Sequence, residues 1–579
     1  MTQPRFIAGL GLAADAGDFA RRRANDAGFS LAIDAAGIFV ALGPGTRSIV
    51  LHNDGVVIGS LFAPGSSEAL GVLSPAAAGA ILGSAGQHLV QAYWGDYVAI
   101  LPGRDGTVLV RGPFGNLPCL HVRHVGGLIA ASDIDALCLG GLTALSLDRD
   151  AIVRQLLAGD LRQNTTCLAG IDEMRGGDQL IVDGRTCRRA HLWSPWTFAA
   201  PSRRIADPVE AERRLRDQTL ACVALRTLPA ERPLVLLSGG LDSSIVATSL
   251  AAADRDFVCF NLATPDLAGD ERTFARAVAG RINRQLVERD MIAGAPDIAR
   301  LAAVRLPRPV ARSFEQHAYA LALELAAELH CDALVDGGGG DNIFCSLQSA
   351  SPAADCLLDP AGRPEFWRLC RDIGQLAETS PWAVAWRAFL RSRRAAAPSR
   401  WPIDPLFLER GSLDLVAAAV RHPWFEEHAL PFPGRSAYVA NLIAAQGYVE
   451  DGPHGAKHNA ISPLVSQPLI EHCLKIPGWQ WFANGRNRAA ARRAFEPLLP
   501  ADVAWRESKG SPNSLLAALY ENNRAFLRDH LSGGFLAESG IIDREAVIAA
   551  IDDPRPVHGT GFRRILQLAD AESWARGIT

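Results

Sequence analysis

The chain is expected to fold as two units of different class. Residues 1–195 predict an α+β unit dominated by short strands, and residues 209–579 an α/β unit on an open parallel sheet. Three observations carry this. Apolar alternation broken by glycine marks strands around Ser30–Leu42, Ser48–Leu51, Gly55–Phe62, Asp96–Leu101, Thr107–Val110 and Gly127–Ala131. Residues 194–208 then carry three prolines and little periodicity, which places a linker at 196–208. Beyond it strands and helices alternate: a helix over Val209–Thr227, a strand over Leu234–Leu237, a helix through Ile245–Ala251, a strand over Phe257–Leu262, helices over Glu271–Arg281 and Ala318–Leu329, and a strand over Ala333–Val335. The remainder reads as mostly helical. Ligands of such a sheet sit at the carboxyl ends of its strands.

Composition narrows the function classes. With 48% apolar and 21% charged residues the chain has ordinary globular composition, and 579 residues imply more than one domain. A net charge of −4 gives no basic field for nucleic acid. No apolar run reaches the ~18 residues of a membrane span, so a cytoplasmic protein is expected. Eleven cysteines between Cys119 and Cys473 form no C-x-x-C pair and read as reduced, buried thiols. Lysine occurs only as Lys457, Lys475 and Lys509 among 58 basic residues, in a composition typical of a GC-rich bacterial genome.

The run Leu234-Val-Leu-Leu-Ser-Gly-Gly-Leu-Asp-Ser-Ser244 carries the most chemistry. A buried strand that feeds a glycine turn and then a helix N-terminus converges backbone N–H groups and the positive helix end on one point, which suits an anion. Gly239 and Gly240 permit close approach, while Ser238, Ser243 and Ser244 add hydroxyl donors. Asp242 would repel a bare phosphate, so it implies a bridging Mg²⁺. After the third strand, Asp336-Gly-Gly-Gly-Gly-Asp341-Asn342 brings a second flexible loop and a second carboxylate to the same sheet edge. Asp242 and Asp341 are therefore expected to share one metal ion, neutralising charge on the bound phosphate. Downstream, Arg506 and Lys509 would suit stabilisation of negative charge.

The first loop resembles the SGGxDSS pyrophosphate loop of ATP-pyrophosphatases, which form AMP; it lacks the spacing and lysine of a Walker loop. Together with the glycine loop, His458-Asn-Ala-Ile-Ser-Pro-Leu-Val-Ser-Gln-Pro468, Asn484-Gly-Arg486 and the Arg506–Gly510 block, it is similar to the synthetase domain of the asparagine synthetase family, over about residues 205–520. The N-terminal part is similar to the class II glutamine amidotransferase (Ntn) sandwich through Trp94-Gly-Asp-Tyr97, Phe114-Gly-Asn-Leu-Pro118, Ala131-Ser-Asp133 and Gly170-Ile-Asp-Glu173. That domain uses an N-terminal cysteine whose own amine is its base, whereas this sequence begins Met1-Thr2-Gln3 and has no cysteine before Cys119. A degenerate domain without glutaminase activity is expected.

Relatives that lack this cysteine use an amine of the substrate itself. The glycine loop differs from the Ser-Gly-Glu-Gly-Ser-Asp-Glu pattern of asparagine synthetases, and no counterpart of the tyrosine–glutamate base of β-lactam synthetases is recognisable. The loop, the Ser-Gln-Pro-Leu run and the Arg-x-Ser-Lys-Gly block most resemble lasso-peptide macrolactam synthetases. The resemblance implies ATP and Mg²⁺ as cofactors and a precursor peptide as substrate. It also implies a leader peptidase and a leader-binding protein as partners. Lys509, Asp242 and Asp341 are the expected catalytic residues, and Leu237, Ser238, Gly239, Gly240, Asp242, Ser243, Ser244, Leu262, Gly337, Gly338 and Arg506 the expected cofactor contacts. An ammonia-dependent asparagine synthetase homologue, a β-lactam synthetase-like enzyme and a non-catalytic scaffold are the alternatives.

Less specific features complete the reading. Trp367, Trp382, Trp386, Trp401 and Trp424 are weighed as a cavity wall against ordinary core. Glu271, Arg272 and Arg276 are weighed as crevice lining against a solvated helix face. His454 and His458, four apart, lack a third ligand for zinc. The basic stretch Arg391–Arg400 reads as a solvated loop.

Overall fold

The computed structural model describes every residue except 1–2, 36, 53–54, 185, 265–269, 292–295, 303–304, 396–400, 427–430, 451–458, 507–512, 556 and 579. The N-terminal part contains twelve strands among the described residues: β1 Phe6–Leu10, β2 Ser30–Ala35, β3 Ile38–Leu42, β4 Ser48–Leu51, β5 Gly55–Phe62, β6 Trp94–Gly103, β7 Gly106–Arg111, β8 Leu120–His124, β9 Gly127–Ala131, β10 Ile171–Glu173, β11 Asp178–Asp183 and β12 Thr186–His191. They pair into two antiparallel sheets, ordered β10-β8-β9-β1-β3-β2 and β12-β11-β7-β6-β5-β4. Phe6, Ala8, Leu10 and Val40 of one sheet and Val56, Ile58, Val98, Ile100 and Leu109 of the other fill the space between them. This is the antiparallel sandwich the sequence implied, since period-two strands must bury their apolar faces against one another.

The second part is built on β13 Pro233–Leu236, β14 Val258–Ala263, β15 Leu286–Asp290, β16 Ala333–Val335 and β17 Asn459–Ile461. All neighbours are parallel, in the order β15-β14-β13-β16-β17. Chain direction across the sheet reverses between β13 and β16, so a crevice opens at their carboxyl ends. β13 and β16 bury both faces under helices, which is why they read as unbroken apolar runs rather than as alternation. Most of the C-terminal remainder is helical, as expected.

The two parts share their cores. One buried cluster runs from Val57, Trp94 and Tyr97 of the sandwich to Leu215, Val235 and Leu250 of the parallel-sheet unit. Another joins Ile7, Ile129 and Ile152 to Leu527, Ile565 and Leu568 near the C-terminus. The stretch between the two parts is packed too: Pro195–Ala199 forms a short helix, and the buried Trp196 donates from Nε1 to the Trp424 carbonyl at 2.7 Å. No helix among the described residues is long and apolar enough to cross a membrane.

Candidate active site

The turn after β13 is tight because Gly239 adopts φ +77°, a left-handed conformation. A Cβ at Gly239 would also lie 2.6 Å from the Ala275 nitrogen, so the helix Arg272–Arg281 can pack against the turn only over glycine. The Ser238 hydroxyl accepts from the Gly240 amide at 3.2 Å and meets the Ser243 hydroxyl at 3.1 Å. The helix Leu241–Ala252 begins there, with no side chain capping its N-terminus and Asp242 in its first turn. Uncapped amides at a helix start leave the positive end of its dipole facing the crevice.

The glycine loop after β16 lies directly against this turn. A Cβ at Gly340 would stand 2.6 Å from Cβ of Asp242, so the two loops touch backbone to side chain. Between them opens a cavity of about 510 Å³. Ser238, Gly240, Asp242 and Ser243 line it from one loop, Gly337, Gly338 and Asp341 from the other, and Arg506 from beyond. The site elements therefore converge from positions some hundred residues apart.

Leu237, Gly239, Ser244 and Leu262 do not line the cavity. Leu237 and Ser244 are buried. The Leu237 carbonyl is taken by Asn261 Nδ2 at 2.8 Å, and Leu262 packs against the apolar layer of Leu234, Val258 and Phe260. Strand-end side chains alternate between faces, so only every second one can point into the crevice. Lys509 lies outside the described residues, as do His454 and His458.

Asp242 and Asp341 do meet at one point. Arg488 Nη1 bonds Asp242 Oδ2 at 3.0 Å and Oδ1 at 3.3 Å, and also contacts Asp341 Oδ1. Two carboxylates converging on a single cationic atom are the donor set Mg²⁺ takes together with substrate phosphates, so the residues fit the expected ion. Among the described residues no group of three or more His, Cys, Asp or Glu is arranged for a metal. Arg488 itself was not anticipated, although it stands two residues beyond the Asn-Gly-Arg block. Arg492, also in the cavity wall, has its guanidinium lowered to about 10 by burial and by the neighbouring Arg488 charge. Cationic groups thus gather where negative charge would develop.

Arg506 is held by Glu271 at 2.8 Å, and its guanidinium carbon lies 3.8 Å from the centroid of the Phe274 ring. Glu271 consequently reaches the cavity through its partner. Arg272 pairs with Asp270 and Asp290, and Arg276 with Glu288, on the solvent side. The tryptophans form no wall. Trp367, Trp382 and Trp386 are 54%, 72% and 62% exposed on helices Phe366–Leu376 and Pro381–Arg393, Trp424 is buried, and none of the five lines the cavity. Helical spacing of aromatics reports a shared face, not what that face meets.

Asp336, at the start of the glycine loop, also lines the cavity, and residues that no motif announced join it: Asp160, Tyr319 and Tyr448. Asp160 belongs to the N-terminal part. The helix Pro433–Glu450, which carries Tyr448, is clamped by that part: Gln446 Nε2 donates to the Gly115 carbonyl at 3.1 Å. Glu450 takes Arg111 at 2.7 Å and Arg162 at 3.0 Å. Glu173 joins this buried network through Arg162 at 3.1 Å and through Arg308. Burial pushes the Glu173 carboxyl upward, but the guanidiniums of Arg308, Arg162 and Arg111 outweigh it and hold the group below its ordinary value.

The asparagine synthase family matches residues 214–422 and 455–576, more than half of the chain. Among solved structures, glutamine phosphoribosylpyrophosphate amidotransferase from B. subtilis, complexed with ADP and GMP, is 10% identical with a TM-score of 0.20; the match covers 51% of this chain and 83% of that one. Comparison with curated proteins gives no match. The chain belongs to the asparagine synthase family, whose members are ATP-dependent ligases that form carbon–nitrogen bonds.

Proposed function

We propose that the chain is a lasso-peptide macrolactam synthetase. It would activate an Asp or Glu side-chain carboxylate of a processed precursor peptide and join it to the peptide's own N-terminal amine. The observation that carries the ATP half of this reading is the convergence of Asp242 and Asp341 on one cationic atom in the crevice between two glycine loops. The peptide half rests on the glycine loop, in which Gly338 and Asn342 stand where the asparagine synthetase pattern has glutamates.

The turn Ser238–Gly240 and the helix start behind it would hold the phosphates through backbone amides. Asp242 and Asp341 would hold Mg²⁺, which when bound neutralises charge on the leaving pyrophosphate. The substrate carboxylate oxygen displaces pyrophosphate from the α-phosphorus. The amine nitrogen then attacks the acyl carbon, and the bond to AMP breaks. Lys509 and Arg506 stabilise the negative charge of these steps. Amine and acyl carbon belong to one bound peptide, so proximity supplies much of the rate.

In this reading glutamine is not the nitrogen source. The N-terminal pocket measures about 60 Å³ and is lined by Pro4, Arg47, Gly59, Asp96, Asn116 and Arg226 among others, with no cysteine among its described lining residues. A leader peptidase and a leader-binding protein would act before the synthetase.

The test supplies ATP, Mg²⁺ and leaderless precursor peptide, and follows AMP formation and the peptide mass. Loss of one water from the peptide, coupled to AMP, is expected. AMP formation driven instead by free aspartate with ammonia, or by a small β-amino acid that cyclises, would replace the reading with the corresponding relative.

A further inference from the structure

The tryptophans that miss the reaction cavity gather elsewhere. The helix Pro381–Arg393 turns Val384 and Ala388 into the core and carries a second apolar stripe on its outer side. Trp382, Trp386, Phe389 and Leu390 recur there at helical spacing, and all four are exposed, Trp382 at 72%. The neighbouring helix Phe366–Leu376 widens the stripe. Its exposed Trp367 meets the Trp382 ring edge-on, with centroids 4.9 Å apart, and Trp386 stacks with Phe389 at 5.9 Å. Single exposed apolar residues are ordinary, but bulky ones side by side mark an interaction surface.

Charge sets this surface apart. Residues 381–394 contain Arg387, Arg391, Arg393 and Arg394 and no acidic residue, in a chain whose net charge is −4. Arg391 and Arg393 lie in the last helical turn rather than in a loop, and the Arg391 guanidinium donates to the Ser349 hydroxyl at 2.8 Å. Arg371 follows Trp367 by one turn on the neighbouring helix. Among the described residues no ion pair holds Arg371, Arg387, Arg393 or Arg394. The acids of these two helices and their flanks are Glu365 and Asp372, both taken by Arg368, and Glu378 in the link between them.

We propose that this face rests on an anionic lipid bilayer, as a peripheral contact and not a span. A tryptophan ring with its N–H belongs at the headgroup level, and arginines beside it are attracted to the negative surface. The rings enter as far as the acyl boundary while the guanidiniums stay among the headgroups. Rings that stand this clear of the protein can enter a fluid layer without a shaped counterpart. A second copy of the chain is a poorer occupant, because a two-fold interface would bring two sets of unpaired arginines together. None of these residues lines the reaction cavity, so the contact stands whichever substrate the synthetase takes.

The test sediments the full chain with vesicles of phosphatidylcholine alone, or of equal parts phosphatidylcholine and phosphatidylglycerol, at low and high salt. Binding to the anionic vesicles only, lost at high salt, is expected. Trp382→Ala combined with Trp386→Ala should weaken that binding about tenfold or more. Arg387→Gln, Arg393→Gln and Arg394→Gln together should weaken it about 10²-fold, at about fivefold per arginine. Both variants should keep the wild-type melting temperature, because the altered side chains are exposed. Unchanged binding by the tryptophan variant, or equal binding to neutral vesicles, would overturn the proposal. Self-association abolished by the tryptophan changes would overturn it in favour of a second copy. Failure of the wild-type chain to bind either vesicle would overturn it and leave the face to an acidic protein.

Discussion

Two cavities of this molecule, one in each part, differ in size and in furnishing. The crevice on the parallel sheet encloses about 510 Å³ and gathers four carboxylates, three arginines and two glycine loops, whereas the N-terminal pocket encloses about 60 Å³. Part of the smaller pocket is taken by the second unit, which contributes Arg226, Pro229 and Ile461 to its wall. The N-terminal sandwich nevertheless reaches the larger cavity. It supplies Asp160 to the wall and fixes the Tyr448 helix through Gly115, Arg111 and Arg162. The sandwich can brace its neighbour's cavity because the interface is buried and the cores are continuous.

The sharpest way to break this contrast is at Asp242 and Asp341, the two carboxylates proposed to hold Mg²⁺. Asp242→Asn or Asp341→Asn should lower ATP–pyrophosphate exchange by about 10²–10³-fold without unfolding the chain. Full exchange in either variant would remove the assignment of a shared ion. Next comes the bracing network. Glu450→Gln leaves Arg111 and Arg162 with less buried negative charge, and a loss of about 3–5 kcal/mol in chemical denaturation is expected, with both units melting together. Two separate transitions would mean that the sandwich is an independent module. The smallest effect belongs to the lesser pocket: Arg47→Ala should change AMP formation less than about twofold, on the scale of an ordinary surface substitution, and added glutamine should not stimulate the enzyme. Glutamine-stimulated turnover lost in that variant would restore a catalytic role to the N-terminal pocket.

Much of this was legible in the chain. The run around β13, the glycine loop after β16 and the strands β4, β5 and β9 appear where local pattern places them, because a strand, a glycine turn and a helix start are short-range events. Strands such as β1 and β15 were not recognised. β15 is partly exposed and carries Glu288, Arg289 and Asp290, so no apolar alternation marks it. The tryptophans on Phe366–Leu376 and Pro381–Arg393 misled for a related reason: their spacing is helical, but which side the helix turns to solvent is set by packing. Arg488, Tyr319 and Tyr448 carry no motif, and Tyr448 reaches Gly338 only through tertiary contact.

The sequence by itself determined the class of chemistry. Two glycine loops with Asp242 and Asp341, each after an apolar strand, specify an anion-binding edge of a parallel sheet whatever the remaining topology, since backbone amides and helix dipoles act over one turn. Only the tertiary structure decided which side chains complete that edge. The strand order β14-β13-β16-β17 brings Asp336 beside Ser462 from β17's end, and the docked sandwich fixes the helix that delivers Tyr448. Such meetings depend on sheet order and interface packing, which no local pattern encodes.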